Sequence, residues 1–186
     1  MTAYYLLFNG PPSCGKSTLL REAIRHLTVR GIKNKRESIV GPMKQFAATL
    51  LGAPYSALAK DTPHDLFNGE TPREFLIDLS ERYLKRNYNT DFFGRAFAER
   101  TNHLSDDCVF VVDDSGFVEE LESLNPSNVT LVRVIRPGFD FSYDSRTYLP
   151  DPNRTIYNDS DLKKLCACGR DVVDYCVEKW RLKRNL

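Results

Sequence analysis

Eight residues near the N-terminus, Gly10-Pro11-Pro12-Ser13-Cys14-Gly15-Lys16-Ser17, match the phosphate-loop pattern G-x-x-x-x-G-K-[ST]. The run Tyr4 to Phe8 before them is apolar and aromatic and reads as a buried strand. The residues from Ser17 to Arg30 read as a helix, with Leu19, Leu20, Ala23, Ile24 and Leu27 at helical spacing and Gly31 just past the end. A glycine-rich turn between strand and helix leaves backbone N–H groups to converge on phosphate oxygens, and the helix start adds partial positive charge there. Residues Gly10 to Thr18 are therefore expected to bind a nucleoside triphosphate. Lys16 reaches the outer phosphates and the Ser17 hydroxyl is placed for Mg²⁺.

The other segments extend this strand–helix beginning. Glu37 to Val40 reads as a second strand, punctuated by Gly41-Pro42, and Lys44 to Leu51 as a short helix. Ala53 to Gly69 is loop-rich. Thr71-Pro72-Arg73-Glu74 is a capping box with proline at the first helical position. The helix it opens is expected to run to about Arg86 and to bury Phe75, Leu79 and Tyr83. Another helix covers about Asp91 to Asn102. Cys108 to Val112 is a β-branched apolar run ending in Asp113-Asp114, the pattern of a central parallel strand with carboxylates at its C-terminal end. Val129 to Ile135 is a further strand closed by Arg136-Pro137-Gly138. Phe139 to Asn153 is irregular and reads as a lid. Thr155 to Tyr157 is a last strand, followed by a helix running toward Trp180. Alternating strands and helices predict an α/β fold, a three-layer sandwich whose parallel sheet is covered by helices on both faces.

Composition narrows the partners. The chain has 186 residues, with 26 basic and 25 acidic side chains, so no global field draws it to nucleic acid or membrane. No apolar run approaches the ~20 residues that span a bilayer, and the first strand leads straight into the phosphate loop with no room for a signal peptide. A cytoplasmic location is expected. Five cysteines without C-x-x-C spacing read as reduced thiols, and His26, His64 and His103 lack ligand spacing.

Phosphoryl transfer needs a metal and cations around the migrating group. Asp113 and Asp114 are positioned to hold Mg²⁺ opposite Ser17. Because side chains alternate along a strand, one carboxylate can face the metal while the other faces an acceptor or solvent. Arg73 in a helix first turn, Arg136 at a strand end and Arg146 in the irregular segment are the candidate cations. Arg133, inside a strand, reads as structural. Phe139, Tyr143 and Tyr148 are candidates to stack on a base.

These pieces, in order, resemble the bacteriophage deoxynucleoside monophosphate kinases within the P-loop nucleoside-monophosphate-kinase group. The likeness runs through the phosphate loop, Gly41-Pro42-Met43-Lys44, Thr71-Pro72-Arg73 and Asp91-Phe92-Phe93. It continues through Val111-Val112-Asp113-Asp114 with Phe117 and Glu120, Val134-Ile135-Arg136-Pro137-Gly138 and Ile156-Tyr157-Asn158-Asp159. The resemblance implies one kinase domain over 1–186, with ATP and Mg²⁺ as co-substrates and host cytoplasm as the location if phage-encoded. It also implies an acceptor-binding insert over 41–103 near Lys44 and Arg73, and an arginine-bearing lid over 139–153.

Where such enzymes often show Asp-x-Arg-Phe, this chain has Asp114-Ser115-Gly116-Phe117, so one candidate phosphate clamp is absent. The leading expectation is transfer of the ATP γ-phosphoryl to a (deoxy)nucleoside monophosphate. The alternatives are phosphorylation of the hydroxyl of 5-hydroxymethyluracil in duplex DNA, with an aspartate as base, and a non-catalytic nucleotide-binding switch.

Overall fold

Side chains alternate across β1 (Tyr4–Asn9), and every residue of this strand is buried, as a strand covered on both faces requires. Tyr4, Leu6 and Phe8 face a cluster built from α1 (Lys16–Val29) and α6 (Leu162–Arg184), including Leu19, Ala23, Leu27, Val173 and Trp180. Tyr5 faces the other way, toward Phe97 and Thr101 of α4 (Phe92–Asn102), with its hydroxyl 2.8 Å from the Thr101 hydroxyl. Two helical layers thus sandwich one sheet. The computed structural model describes residues 3–55, 58–104, 107–142 and 144–184.

The sheet has five strands in the order β2-β3-β1-β4-β5, all paired in parallel. Its remaining members are β2 (Asn34–Glu37), β3 (Val109–Val112), β4 (Val129–Ile135) and β5 (Arg154–Tyr157). Successive parallel strands need a crossover, and the phosphate loop with α1 supplies the first, from β1 to β2. Because β3 and β4 flank β1, Asp113 and Arg136 emerge on either side of the phosphate loop.

By its internal contacts the chain divides into two compact units: Met1–Ile39 with Gly94–Leu186, and Val40–Phe93. The second unit contains α2 (Gly41–Leu51) and α3 (Pro72–Asp78), followed by a π-helical stretch over Leu79–Lys85. In it the buried Phe67 stacks on the half-buried Phe75 at 4.3 Å, and the exposed Phe46 lies against Phe75 at 6.4 Å. The Thr71 capping box is present as its sequence requires, with Glu74 reaching back to the Thr71 amide at 2.8 Å.

Several boundaries differ from the sequence expectation. The second strand covers Asn34–Glu37 rather than Glu37–Val40, because an edge strand tolerates a polar sequence. Ile39 is instead buried in the following turn. The next helix starts at Gly41 rather than Lys44, since Pro42 favours the first turn of a helix as well as a break. Tyr83 is 57% exposed rather than buried. The π-helical stretch widens the turn, so a four-residue spacing no longer repeats one face. The last helix continues past Trp180 to Arg184.

Candidate functional site

The loop between β1 and α1 is shaped by two residues with positive φ, Ser13 at 60° and Gly15 at 113°. Only glycine takes the second conformation without strain. A side chain at Gly10 would strike the Val134 carbonyl at 2.5 Å, so the loop also requires glycine where it leaves the sheet. Within this curl the amides of Ser13, Gly15 and Ser17 make no hydrogen bond to another described residue. Such a cluster of N–H donors at a helix start suits an anion.

Lys16 lies 8% exposed at the start of α1, with Nζ 2.6 Å from both the Gly10 and Pro11 carbonyls. Burial pushes its pKa below the ordinary lysine value, the charge of Arg146 pushes it the same way, and Asp113 and Asp144 oppose the shift. Cys14, with its Sγ beside the lysine, is pushed up by burial. All five cysteines are free thiols.

The paired aspartates separate. Asp113 Oδ2 accepts from the Ser17 hydroxyl at 2.8 Å, and its other oxygen faces Arg36 at 3.8 Å. Asp114 turns to the opposite side, where it accepts from the Ser38 hydroxyl and, at 3.0 Å, from the Ile39 amide. Ser17 and Asp113 offer two hard oxygens of the kind Mg²⁺ prefers and would hold the ion at the phosphate loop. This donor set fits the metal implied by the phosphate loop.

The three candidate arginines have different surroundings. Arg136 donates to the Ser13 carbonyl at 2.9 Å and lies 4.4 Å over the Phe139 ring. It borders a cleft of about 390 Å³ whose wall also includes Gly15, Thr18, Asn158 and Leu165. Arg146 is bonded through its Nε edge to Asp144. Arg73 belongs to the second unit, where its Nε donates to Asp61 at 2.6 Å. Lys44 lies in that unit too, on α2. Arg133 donates to the Leu149 carbonyl and lies over the Tyr148 ring, while Tyr143 lies outside the described residues.

Asn9 was not singled out from the sequence. It is 1% exposed and ties three segments together. Its amide nitrogen donates to the Ser115 and Thr147 carbonyls at 3.1 and 3.0 Å, and its oxygen accepts from the Leu149 amide at 2.9 Å. The irregular segment after β4 is therefore fastened to the strand that opens the phosphate loop. The only hint in the sequence is one amide at the end of an otherwise apolar strand.

A parallel five-stranded sheet in this order, with the phosphate loop after its central strand and a carboxylate ending the neighbouring one, is a three-layer α/β fold. The chain shares that fold with the Mycobacterium tuberculosis APS kinase. It is 13% identical to a mutant of that protein over 92% of this chain and 97% of the other, at a TM-score of 0.51. It is 12% identical, again with a TM-score of 0.51, to the same enzyme in complex with AMPPNP and APS, covering 92% and 98% of the two chains. A looser match, with a TM-score of 0.43 and 11% identity, is the shikimate kinase of Acinetobacter baumannii in complex with shikimate, covering 100% and 96%. Neither a protein-family model nor a curated protein matches the sequence. Among the described residues no helix is long and apolar enough to cross a membrane.

Proposed function

We propose that the protein is an ATP-dependent kinase that transfers the γ-phosphoryl group to a (deoxy)nucleoside monophosphate. The observation that carries this reading is the 2.8 Å contact between Ser17 and Asp113 beside the buried Lys16. It brings two hard oxygen ligands and a cation to one phosphate loop, the set that divalent metal and triphosphate require. The shared fold of an APS kinase described with AMPPNP adds support for a nucleoside triphosphate donor.

In this mechanism the loop amides and Lys16 bind the β- and γ-phosphates, and Ser17 with Asp113 would hold Mg²⁺. The metal supplies charge neutralisation and orientation of the transferred group. Arg136 and Arg146 stabilise charge that spreads over the equatorial oxygens in the transition state, and Arg73 and Lys44 bind the acceptor. Catalysis is then mostly positioning and electrostatics.

The aspartate geometry favours a phosphate acceptor over a hydroxyl. A hydroxyl acceptor benefits from a general base, whereas a monophosphate is already anionic. Asp113 is engaged with Ser17, and Asp114 accepts from Ser38 and Ile39, which gives the pair metal-binding and structural work. The test is to incubate the protein with γ-labelled ATP and either a panel of nucleoside monophosphates or duplex DNA containing 5-hydroxymethyluracil. Label is expected on a monophosphate. Label on DNA alone would replace the acceptor, and ATP binding without transfer to either would replace catalysis by a nucleotide-dependent switch.

A further inference from the structure

Arg146 is held by Asp144 and lies against Gly116. Its Nε and one terminal nitrogen reach the two Asp144 oxygens at 2.8 and 2.5 Å, and its own amide donates to Asp144 Oδ1 at 2.9 Å. Both side chains are largely withdrawn from solvent, at 23% and 12% exposure. This is unlike the exposed ion pairs that contribute little. A guanidinium bonded along its Nε edge keeps a second fork, one hydrogen on each terminal nitrogen. Among the described residues, no hydrogen bond uses that fork.

Gly116 lies directly beneath the arginine. Its φ is not in the left-handed region, so backbone conformation alone does not demand glycine. A Cβ there would meet the Arg146 Cβ, Cγ and Cδ, each at 2.6 Å. These are the root of the side chain, which cannot swing aside as a flexible tip can. The Thr147 amide also donates to the Gly116 carbonyl at 3.2 Å, fastening the residue after Arg146 to the same glycine. Asn9, the residue that precedes the phosphate loop, donates to the Thr147 carbonyl at 3.0 Å and accepts from the Leu149 amide at 2.9 Å, which fastens the segment carrying Arg146 beside that loop. The charges of Arg146, Asp113 and Asp144 all act on Lys16.

We propose that Asp144 is a positioning residue. It grips Arg146 by its Nε edge so that the second fork meets the terminal phosphate of a bound nucleoside triphosphate, and Gly116 is the seat that makes this pose possible. The proposal rests on the kinase reading and deepens it, because it assigns the recognition of a third phosphate to residues outside the loop motif. A planar fork matches two oxygens of one phosphate, the geometry for which a point-charge lysine is the poorer choice.

Electrostatics and positioning predict opposite results, which makes the proposal testable by binding alone, without the acceptor. Removing an anion near phosphates strengthens ATP binding if charge is all that matters. If Asp144 orients Arg146, removing it weakens ATP binding. The experiment is calorimetric titration of MgATP and MgADP into the wild type, Asp144→Asn, Gly116→Ala, Arg146→Ala and the Asp144→Asn/Arg146→Ala double variant. MgATP affinity is expected to fall about tenfold in each single variant, with MgADP affinity nearly unchanged, as for the loss of one charge-assisted bond. The double variant is expected to bind no worse than Arg146→Ala, because a positioning residue has nothing to add once its arginine is gone.

Asp144→Asn binding MgATP as tightly as wild type, or more tightly, overturns the proposal. So does a parallel loss of MgADP, which marks a merely structural role. Gly116→Ala with wild-type preference for ATP over ADP overturns the seat. A wild type that binds neither nucleotide overturns the kinase reading itself. Wild-type ATP binding with unaltered variants overturns only this inference.

Discussion

The Ser17 hydroxyl donates to Asp113 Oδ2 at 2.8 Å, although the two residues are 96 positions apart. The parallel register explains the meeting. Leu7 of β1 lies beside Val112 of β3, so the turn after one strand and the carboxylate after the other leave the sheet side by side. Asp114, one residue on, points across the pleat to Ser38 and Ile39 at the end of β2. Replacing each aspartate with asparagine is expected to give distinct results. Asp113→Asn moves the Mg²⁺ dependence of activity to higher concentration and lowers kcat/KM by about a hundredfold, with little change in Tm. Asp114→Asn leaves the Mg²⁺ midpoint in place and destabilises the fold by roughly 1–3 kcal/mol. Magnesium titrations of activity beside thermal melts check both, and the reverse pattern would exchange the two assignments.

Lys16 gives a prediction in pH. Burial depresses its pKa, so the folded protein holds fewer protons than the unfolded chain as pH falls from the ordinary lysine value toward the depressed one. Without nucleotide, the lysine therefore contributes stability that rises with pH across that window. Triphosphate binding has the opposite sign, because it needs the ammonium. MgATP affinity is expected to decline with pH already below the ordinary lysine value of 10.5, and Lys16→Ala is expected to remove that alkaline decline along with most of the affinity. Titrations across pH 7 to 10, roughly the range in which the other loop groups hold their charge, read this directly. A wild-type affinity flat over that range would count against a buried lysine that binds phosphate.

How much of this site was legible in the sequence depends on how local its causes are. The strand, the turn and the helix of this motif follow from glycine geometry and apolar periodicity inside one segment, so their places could be read directly. The aspartates could be read as a pair because they end a β-branched run, but not separated, because Ser38 and Ile39, which orient Asp114, read as part of a strand that in fact ends at Glu37. Gly116 looked like a missing clamp. Its steric reason is Arg146, 30 positions away, which no local pattern reveals. Asn9 escaped notice for the same reason: its three partners come from two distant loops.

Asn9 should therefore be costly to replace. Asn9→Ala leaves the Ser115 and Thr147 carbonyls and the Leu149 amide without their partner in a site that is 1% exposed. Each buried group left unsatisfied costs about 1–3 kcal/mol, and partial relaxation makes about 3 kcal/mol a fair total. For a chain of this size that corresponds to a Tm lowered by roughly 6–12 °C. Hydrogen exchange should show the Leu149 amide losing protection well before the β1 amides. Uniform loss across the sheet would mean that Asn9 supports the core rather than the segment carrying Arg146.

Glu22 links α1 to α6. Its carboxylate accepts from Arg25 at 2.9 and 2.6 Å and from Arg170 at 2.8 Å. These bonds, with Arg25 the larger influence, pull its pKa from 4.5 down to about 2. A carboxylate whose folded pKa is lowered stabilises the fold above its unfolded pKa and loses that contribution as pH falls toward the folded one. The window here runs from about pH 4.5 down to about pH 2. Because Arg25 is well exposed, solvent screening limits the contribution to about 1 kcal/mol, or roughly 2–4 °C in Tm. Glu22→Gln should melt lower than wild type at neutral pH by that amount, and the two melting curves should converge as acid protonates Glu22 in the wild type. Other carboxylates titrate over the same range, but both proteins contain them, so the difference in Tm isolates Glu22. A gap that persists unchanged to pH 2 would mean that glutamine fails through its shape rather than its missing charge.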